Sequence, residues 1–327
     1  MFYDTIGIAI TQNCPIRCSM CLLECGPEVD LCIDEESCID LINQIHKTPY
    51  IKHFVISGGE PFVDFEKLIR LVKHAHKPGL KISCNTNAFW CKNEKDVYEK
   101  LVLLKKSGLS NLITSIDVFH QQYIDTQNVK LLLDCAYDLK MTVQVTAGLL
   151  NDTILETYQH LAQLGDSVCN QNIVITPFLP IGYASDAFRS DSFCRNTKKS
   201  RLQCPGNSTL FISTSGNVYP CCLLPNVDSD DINLGNIYND KLSDILQNAE
   251  TNIFSSLVMM KGLKWMVEEI EEQSLIELDD YYINGCHFCN EIHRNNQYEK
   301  IKMHLEKSYN ETAITKLTKI RDRRISI

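Results

Sequence analysis

Nothing at the start of this chain resembles a secretory signal, and no run of apolar residues is long enough to span a bilayer, so neither export nor a membrane partner is expected. A basic excess is missing too. The chain has 32 lysines and arginines against 41 aspartates and glutamates, for a net charge of −9. Phosphate contacts need a positive surface, which argues against nucleic acid as the main partner. The acidity suits a solvated surface and is compatible with a neutral or basic peptide. No compact segment precedes the first strand, so a fused peptide-binding module is not expected there. Cysteine, by contrast, is abundant, with sixteen among 327 residues. Without an export signal, that number points to thiolate ligands and reduced thiols in the cytoplasm rather than to disulfides. With 44% apolar residues the chain can bury one large core and a smaller one.

The segment Cys14-Pro15-Ile16-Arg17-Cys18-Ser19-Met20-Cys21 carries thiols at i, i+4 and i+7, directly after an apolar run from Thr5 to Thr11 that reads as a β-strand. Three sulfurs serve three irons of a [4Fe–4S] cube and leave the fourth iron open to a substrate or cofactor. The plainer alternative is a three-cysteine zinc site. A register starting at Cys21 and Cys25 fails, because Glu28 stands where the third cysteine belongs. A second strand, Ile51 to Ile56, runs into Ser57-Gly58-Gly59-Glu60-Pro61. The two glycines let backbone approach a ligand closely, and Pro61 ends the strand.

From residue 5 to about 180, apolar strands alternate with amphipathic helical stretches. Further strands are expected at Leu80 to Thr86, Asn111 to Ile116, Met141 to Leu149 and Asn172 to Thr176, and Asp34 is positioned to cap the first helix. Six such units predict an α/β fold, a partial (β/α)6 barrel with its site at the carboxyl ends of the strands. Asn87, Ser115, Asp117 and Thr146 fall at or near those ends, whereas an isolated histidine such as His120 reads as surface.

The cysteine loop followed by a strand and Gly-Gly-Glu-Pro resembles the radical S-adenosylmethionine (SAM) enzymes. That resemblance implies a [4Fe–4S] cluster on Cys14, Cys18 and Cys21, with SAM on its open iron and the SAM amino group at Gly58, Gly59 and Glu60. It further implies Met20 against the adenine, where the family often has an aromatic residue, and polar contacts from Asn87, Ser115, Asp117 and Thr146. Thr176 to Ala184 is similar to the family's P-x-x-P-x-G-R-A stretch, with Tyr183 in place of the arginine.

A second cysteine set follows. Leu210 to Ser213 and Val218 to Tyr219 read as a hairpin around Thr214-Ser215-Gly216-Asn217. Cys204, Cys221, Cys286 and Cys289 supply four ligands around it, enough for a zinc ribbon or an iron–sulfur cluster. Strand alternation would turn Cys222 away from its neighbour Cys221, as a free thiol or a small buried hydrophobe. The Gly216-to-Cys221 spacing is similar to the SPASM or twitch domains of radical SAM enzymes, which implies a second [4Fe–4S] cluster in a small C-terminal α+β domain. The expected division is a barrel over 1–184, a bridge over 185–203, the auxiliary domain over 204–310 and a tail over 311–327.

Cys204-Pro205-Gly206, Tyr219-Pro220-Cys221-Cys222, Gly262-Leu263-Lys264-Trp265, Cys286-x-x-Cys289 and Asn87-Ala88-Phe89-Trp90 resemble the radical SAM peptide epimerases. This implies L-to-D epimerisation of a ribosomally synthesised precursor peptide, with Cys222 returning hydrogen and 5′-deoxyadenosine as by-product. The electron donor implied is a flavodoxin or ferredoxin. Peptide cross-linking, as a thioether or carbon–carbon bond, is the alternative within the family, and a zinc-binding protein is the non-enzymatic one. The remaining cysteines, Cys25 among them, show no ligand spacing and read as packing or surface thiols. Ile253 to Glu271 reads as an amphipathic helix with Trp265 on its core face. Asn290 to Leu305 reads as a charged surface helix, and Lys316 to Ile327 as a frayed basic tail.

Overall fold

Six short apolar runs form six parallel strands, and the central ones set a face that helices cover against a face that lines the barrel. The computed structural model describes residues 3–169, 171–206, 208–224, 230–294 and 297–325, with backbone alone for Asp230 and residues 312–325. The barrel strands are β1 (Thr5–Ala9), β2 (His53–Ser57), β3 (Lys81–Thr86), β4 (Asn111–Ser115), β5 (Thr142–Leu149) and β6 (Asn172–Pro177). Each pairs in parallel with the next. In β2, Phe54 and Ile56 are buried while Val55 and Ser57 are half-buried; in β5, Val143, Val145 and Ala147 are buried and alternate with Gln144 and Thr146.

The buried face of the sheet meets α1 (Glu35–His46), α2 (Phe65–Ala75), α3 (Glu94–Ser107), α5 (Thr126–Asp138) and α6 (Ile154–Gln163), while the short α4 (Val118–Gln121) packs against α6. Leu41, Leu68, Leu101 and Leu132 from these helices belong to one core with Ile6, Ile8 and Phe54. Each such side chain contributes roughly 1.5–3 kcal/mol on burial. The helices start where their caps sit: Asp34 accepts from the Ser37 N–H, and Asn93 from the Asp96 N–H.

Beyond the barrel, α7 (Tyr183–Ala187) leads to β7 (Thr197–Lys198), and then the hairpin forms from β8 (Thr209–Ile212) and β9 (Asn217–Tyr219). The hairpin joins the barrel sheet. Strand β8 pairs in parallel with β1, Thr5 opposite Thr209 and Ile8 opposite Ile212. With β10 (Gly235–Asn236) outside β9, the sheet has, among the described residues, nine strands in the order β10-β9-β8-β1-β2-β3-β4-β5-β6. The edge of β1 is thereby covered instead of left open.

The C-terminal helices are α8 (Leu242–Thr251), α9 (Ile253–Glu272), α10 (Gly285–Arg294) and α11 (Gln297–Ile325), with β11 (Tyr281–Tyr282) antiparallel to β7. Leu257, Met266, Ile270, Phe288, Ile301 and Leu305 form a second core, with Trp265 packed against it. Gly262, at φ 84 and ψ 164, breaks α9. The expected surface helix over Asn290 to Leu305 is instead parts of two helices. Their buried Ile292, Tyr298, Ile301 and Leu305 face α9, an apolar spacing hidden among charged residues. In the expected basic tail the backbone is helical to Ile325, but the side chains of Arg321, Arg323 and Arg324 lie outside the described residues. Among the described residues no helix is long and apolar enough to cross a membrane.

Candidate active site

The cysteine loop hangs between two strand ends. The Gly59 N–H donates to the Thr11 carbonyl at 2.6 Å, and the Glu60 N–H to the Asn13 carbonyl at 2.9 Å. A Cβ on Gly58 or Gly59 would collide with the carbonyls of Thr11 and Asn13. The two glycines therefore let the turn approach the cysteine loop's own backbone, a nearer demand than approach to a ligand. On the other side, the Tyr183 N–H donates to the Cys21 carbonyl at 3.1 Å, and the Arg17 guanidinium lies 5.4 Å above the Tyr183 ring.

At the carboxyl ends of the strands opens a cavity of 480 Å³, within the range of small-molecule sites. Cys14, Cys18 and Cys21 line it together, and so do Met20, Gly58, Gly59, Asn87 and Ser115. Phe178 and Leu179 add apolar wall. Glu60, Asp117 and Thr146 are not part of its lining. Thr146 stays in the sheet opposite Ser115.

The Glu60 carboxylate is fully buried and turned inward. It accepts from the Asn87 N–H at 2.7 Å, the Phe62 N–H at 3.0 Å and the Thr86 hydroxyl at 3.0 Å. Burial raises its pKa to about 7, against the pull of those donors. Asp117 is likewise spent inside the fold. One oxygen caps α4 through the Phe119 and His120 N–H groups, and the other holds His120 Nδ1 at 2.8 Å. His120 is thus no surface residue: it lines the cavity together with Cys18. Its burial opposes protonation, but Asp117, by charge and hydrogen bond, and Cys18 outweigh that and raise its pKa. The signal available in the sequence was the Asp-x-x-His spacing, which places a helix cap and a histidine on one turn.

Two of the first three sulfurs accept hydrogen bonds. The Asn87 side-chain amide donates to Cys14 Sγ at 3.5 Å, and the Cys25 N–H to Cys21 Sγ at 3.4 Å. Cys25, expected as a packing or surface thiol, is buried beside Cys21 on the cavity wall, and its thiol's hydrogen bond lowers the Cys21 pKa. Burial raises Cys14 to about 12, so that side chain becomes a thiolate only with positive metal charge beside it. Three thiols on one cavity wall, two of them accepting N–H donors, fit an iron–sulfur cube, whose ligand sulfurs are hydrogen-bond acceptors. Among the described residues no three His, Cys, Asp or Glu side chains converge on a single ion. A cube holds each sulfur at a separate corner, on its own iron.

The second set also gathers. Cys204, Cys221, Cys286 and Cys289 are all within electrostatic reach of one another, and burial raises the pKa of each. Cys286 and Cys289 lie three residues apart on α10, hence on one face. Cys286, Pro205 and Leu223 line the same cavity as the first three thiols. The alternation expected for Cys221 and Cys222 does not apply, because β9 ends at Tyr219 and Pro220 precedes the pair. Cys222 is exposed, and it too is within reach of Cys204, Cys221 and Cys286.

The Radical SAM superfamily model matches residues 8–179, and SPASM, an iron–sulfur cluster-binding domain, matches residues 204–290. YydG of Bacillus subtilis (strain 168), a protein named for peptide biosynthesis, is 24% identical over 325 residues, covering 95% of this chain and 99% of that protein. Among solved structures, the chain is similar to Streptococcus suis SuiB. Bound to its precursor peptide SuiA, SuiB matches with a TM-score of 0.59 at 12% identity, over 87% of this chain and 76% of SuiB. Bound to S-adenosylmethionine, it matches with a TM-score of 0.54 at 14% identity, over 83% and 75%. At these identities the likeness shows the fold alone.

Proposed function

Since the chain belongs to the radical SAM superfamily, with SAM and iron–sulfur clusters as its cofactors, we propose that it modifies a ribosomally synthesised precursor peptide. Within that class the preferred reaction is conversion of L-residues to D-residues. The observation that supports this reading is the cavity wall: Leu223, the residue after Cys222 in the chain, lines it together with Cys14, Cys18 and Cys21. The peptide-biosynthesis name of the Bacillus subtilis relative and the precursor peptide bound by SuiB support a peptide substrate.

When bound, the cluster and SAM supply hydrogen-atom abstraction from an unactivated carbon. Cys14, Cys18 and Cys21 hold the first cluster. Met20, Phe178 and Leu179 give the SAM adenine an apolar wall, and Ser115 offers its hydroxyl to the ribose. Cys204, Cys221, Cys286 and Cys289 hold the second cluster. Cys222 returns a hydrogen atom to the opposite face of the peptide α-carbon: its S–H bond breaks and a C–H bond forms. The sulfur then regains one electron from a flavodoxin- or ferredoxin-type donor and one proton from solvent. A second reading, cross-linking, rests on the four gathered thiols, since a cluster there is suited to accept the electron that such oxidation releases.

The test uses a short precursor peptide, sought among the reading frames beside this gene, incubated in deuterium oxide with the reduced holoenzyme and SAM. Epimerisation adds one mass unit per residue changed and yields D-amino acids on hydrolysis. Cross-linking removes two hydrogens per bond. Cys222→Ala is expected to abolish deuterium uptake while 5′-deoxyadenosine still forms; unchanged uptake in that variant rules out Cys222 as donor.

A further inference from the structure

The turn that follows β3 is strained and tied down from several sides. Ala88 is fully buried at φ +64, a left-handed conformation that costs a non-glycine residue free energy and persists only where its surroundings enforce it. They do so here. Glu60 holds the Asn87 N–H at 2.7 Å, and the Asn128 side chain donates to the Ala88 carbonyl at 3.1 Å. The Thr86 hydroxyl, which also bonds Glu60, accepts from the Ala88 N–H at 3.2 Å and the Trp90 indole N–H at 3.0 Å.

What this arrangement aims is the Asn87 side chain. Its Oδ1 accepts from the Phe89 N–H at 2.9 Å, which fixes the amide flip and leaves Nδ2 pointing at Cys14 Sγ, 3.5 Å away. The residue is buried, so the N–H is aimed at sulfur without competition from bulk water. An N–H donated to a ligand sulfur stabilises the more negative, reduced state of a cluster over the oxidised one, and hydrogen bonds to sulfur are among the determinants of cluster potential.

We propose that Asn87 is a positioning residue for the first iron–sulfur cluster: held by Glu60 through the strained Ala88 turn, its amide sits on the Cys14 sulfur and makes the cluster easier to reduce. This replaces the SAM contact expected of Asn87, and it gives the Glu60 side chain a task even though it does not reach the cavity.

The test is a redox titration of the anaerobic holoenzyme without peptide, followed by EPR of the cluster whose signal changes when SAM is added. Asn87→Leu keeps the volume and removes the donor. At a fixed poise its ratio of reduced to oxidised cluster is expected to fall about tenfold, which is about 59 mV for one electron. Glu60→Gln is expected to shift the potential in the same direction through the loosened turn. SAM affinity, measured on the oxidised enzyme, is expected to change less than threefold in Asn87→Leu. A potential equal to the parent's, or a large loss of SAM affinity at unchanged potential, overturns the proposal. Should Asn87→Leu fail to take up iron, Asn87→Asp, which retains the Phe89 contact, reads the same potential with the same expected sign.

Discussion

Gly59 donates its N–H to the Thr11 carbonyl at 2.6 Å, so the glycine turn after β2 and the loop entering the cysteines are one hydrogen-bonded body. A side chain at position 59 has nowhere to go, since its Cβ would meet the Asn13 carbonyl. Gly59→Ala is therefore expected to push the two segments apart, at a cost of roughly 1–3 kcal/mol for strain plus roughly 1 kcal/mol for the lost bond. Iron per chain at the first site should fall with it. A variant that takes up full iron at an unchanged melting temperature would contradict this coupling.

The two thiol sets predict separable iron. Replacing Cys14, Cys18 and Cys21 by alanine is expected to remove about four irons per chain, and replacing Cys204, Cys286 and Cys289 about four more. The first variant should form no 5′-deoxyadenosine. Iron and sulfide analysis of anaerobic protein checks both, and a chain that binds zinc in their place would remove the cluster assignment.

His293 gives a pH signature. It is buried between Phe254, 4.5 Å away, and Tyr298, 4.7 Å away, and among the described residues neither ring nitrogen has a hydrogen-bond partner. Burial lowers its pKa from 6.5 to about 4. The unfolded chain then takes up a proton below pH 6.5 that the folded chain refuses until about pH 4. The stability this histidine contributes is complete above pH 6.5 and is lost as pH falls toward 4, on the order of 3 kcal/mol in all. Urea unfolding of His293→Phe at pH 5 and pH 7.5 should show a smaller difference in midpoint than the parent does. An equal difference would show that His293 titrates normally in the fold.

Phe288 lies between Cys286 and Cys289 on α10 and is fully buried in the second core. Phe288→Ala is expected to cost about 3–5 kcal/mol and to lower iron at the second thiol set while sparing the first. Loss of iron at both sites in equal measure would show that the two thiol sets fold as one.

Much of this was legible in the sequence because it is local. The six strand–helix units follow from apolar periodicity, and Asp34 caps its helix as its position before Glu35 and Glu36 suggests. The first three thiols line one cavity, in keeping with their close spacing. What stayed hidden depends on distant pairing or on where an element ends. No periodicity tells β8 to lie beside β1. Pro220 did announce that β9 stops before Cys221 and Cys222, which voids an alternation argument for that pair. The buried carboxylates Glu60 and Asp117 sit beside the site's chemistry in sequence, yet each faces inward, and only the hydrogen bonds reveal which groups they orient.

The β1–β8 pairing also sets a timetable. Thr5 is made well before its partner Thr209, which emerges about 10 to 40 s later at ordinary rates of synthesis. Throughout that interval one flank of β1 offers unpaired N–H and C=O groups to any passing strand. Slower translation would lengthen the exposure, and a chain cut short before residue 209 would never end it. Such fragments should therefore aggregate in the cell even though six barrel strands are present.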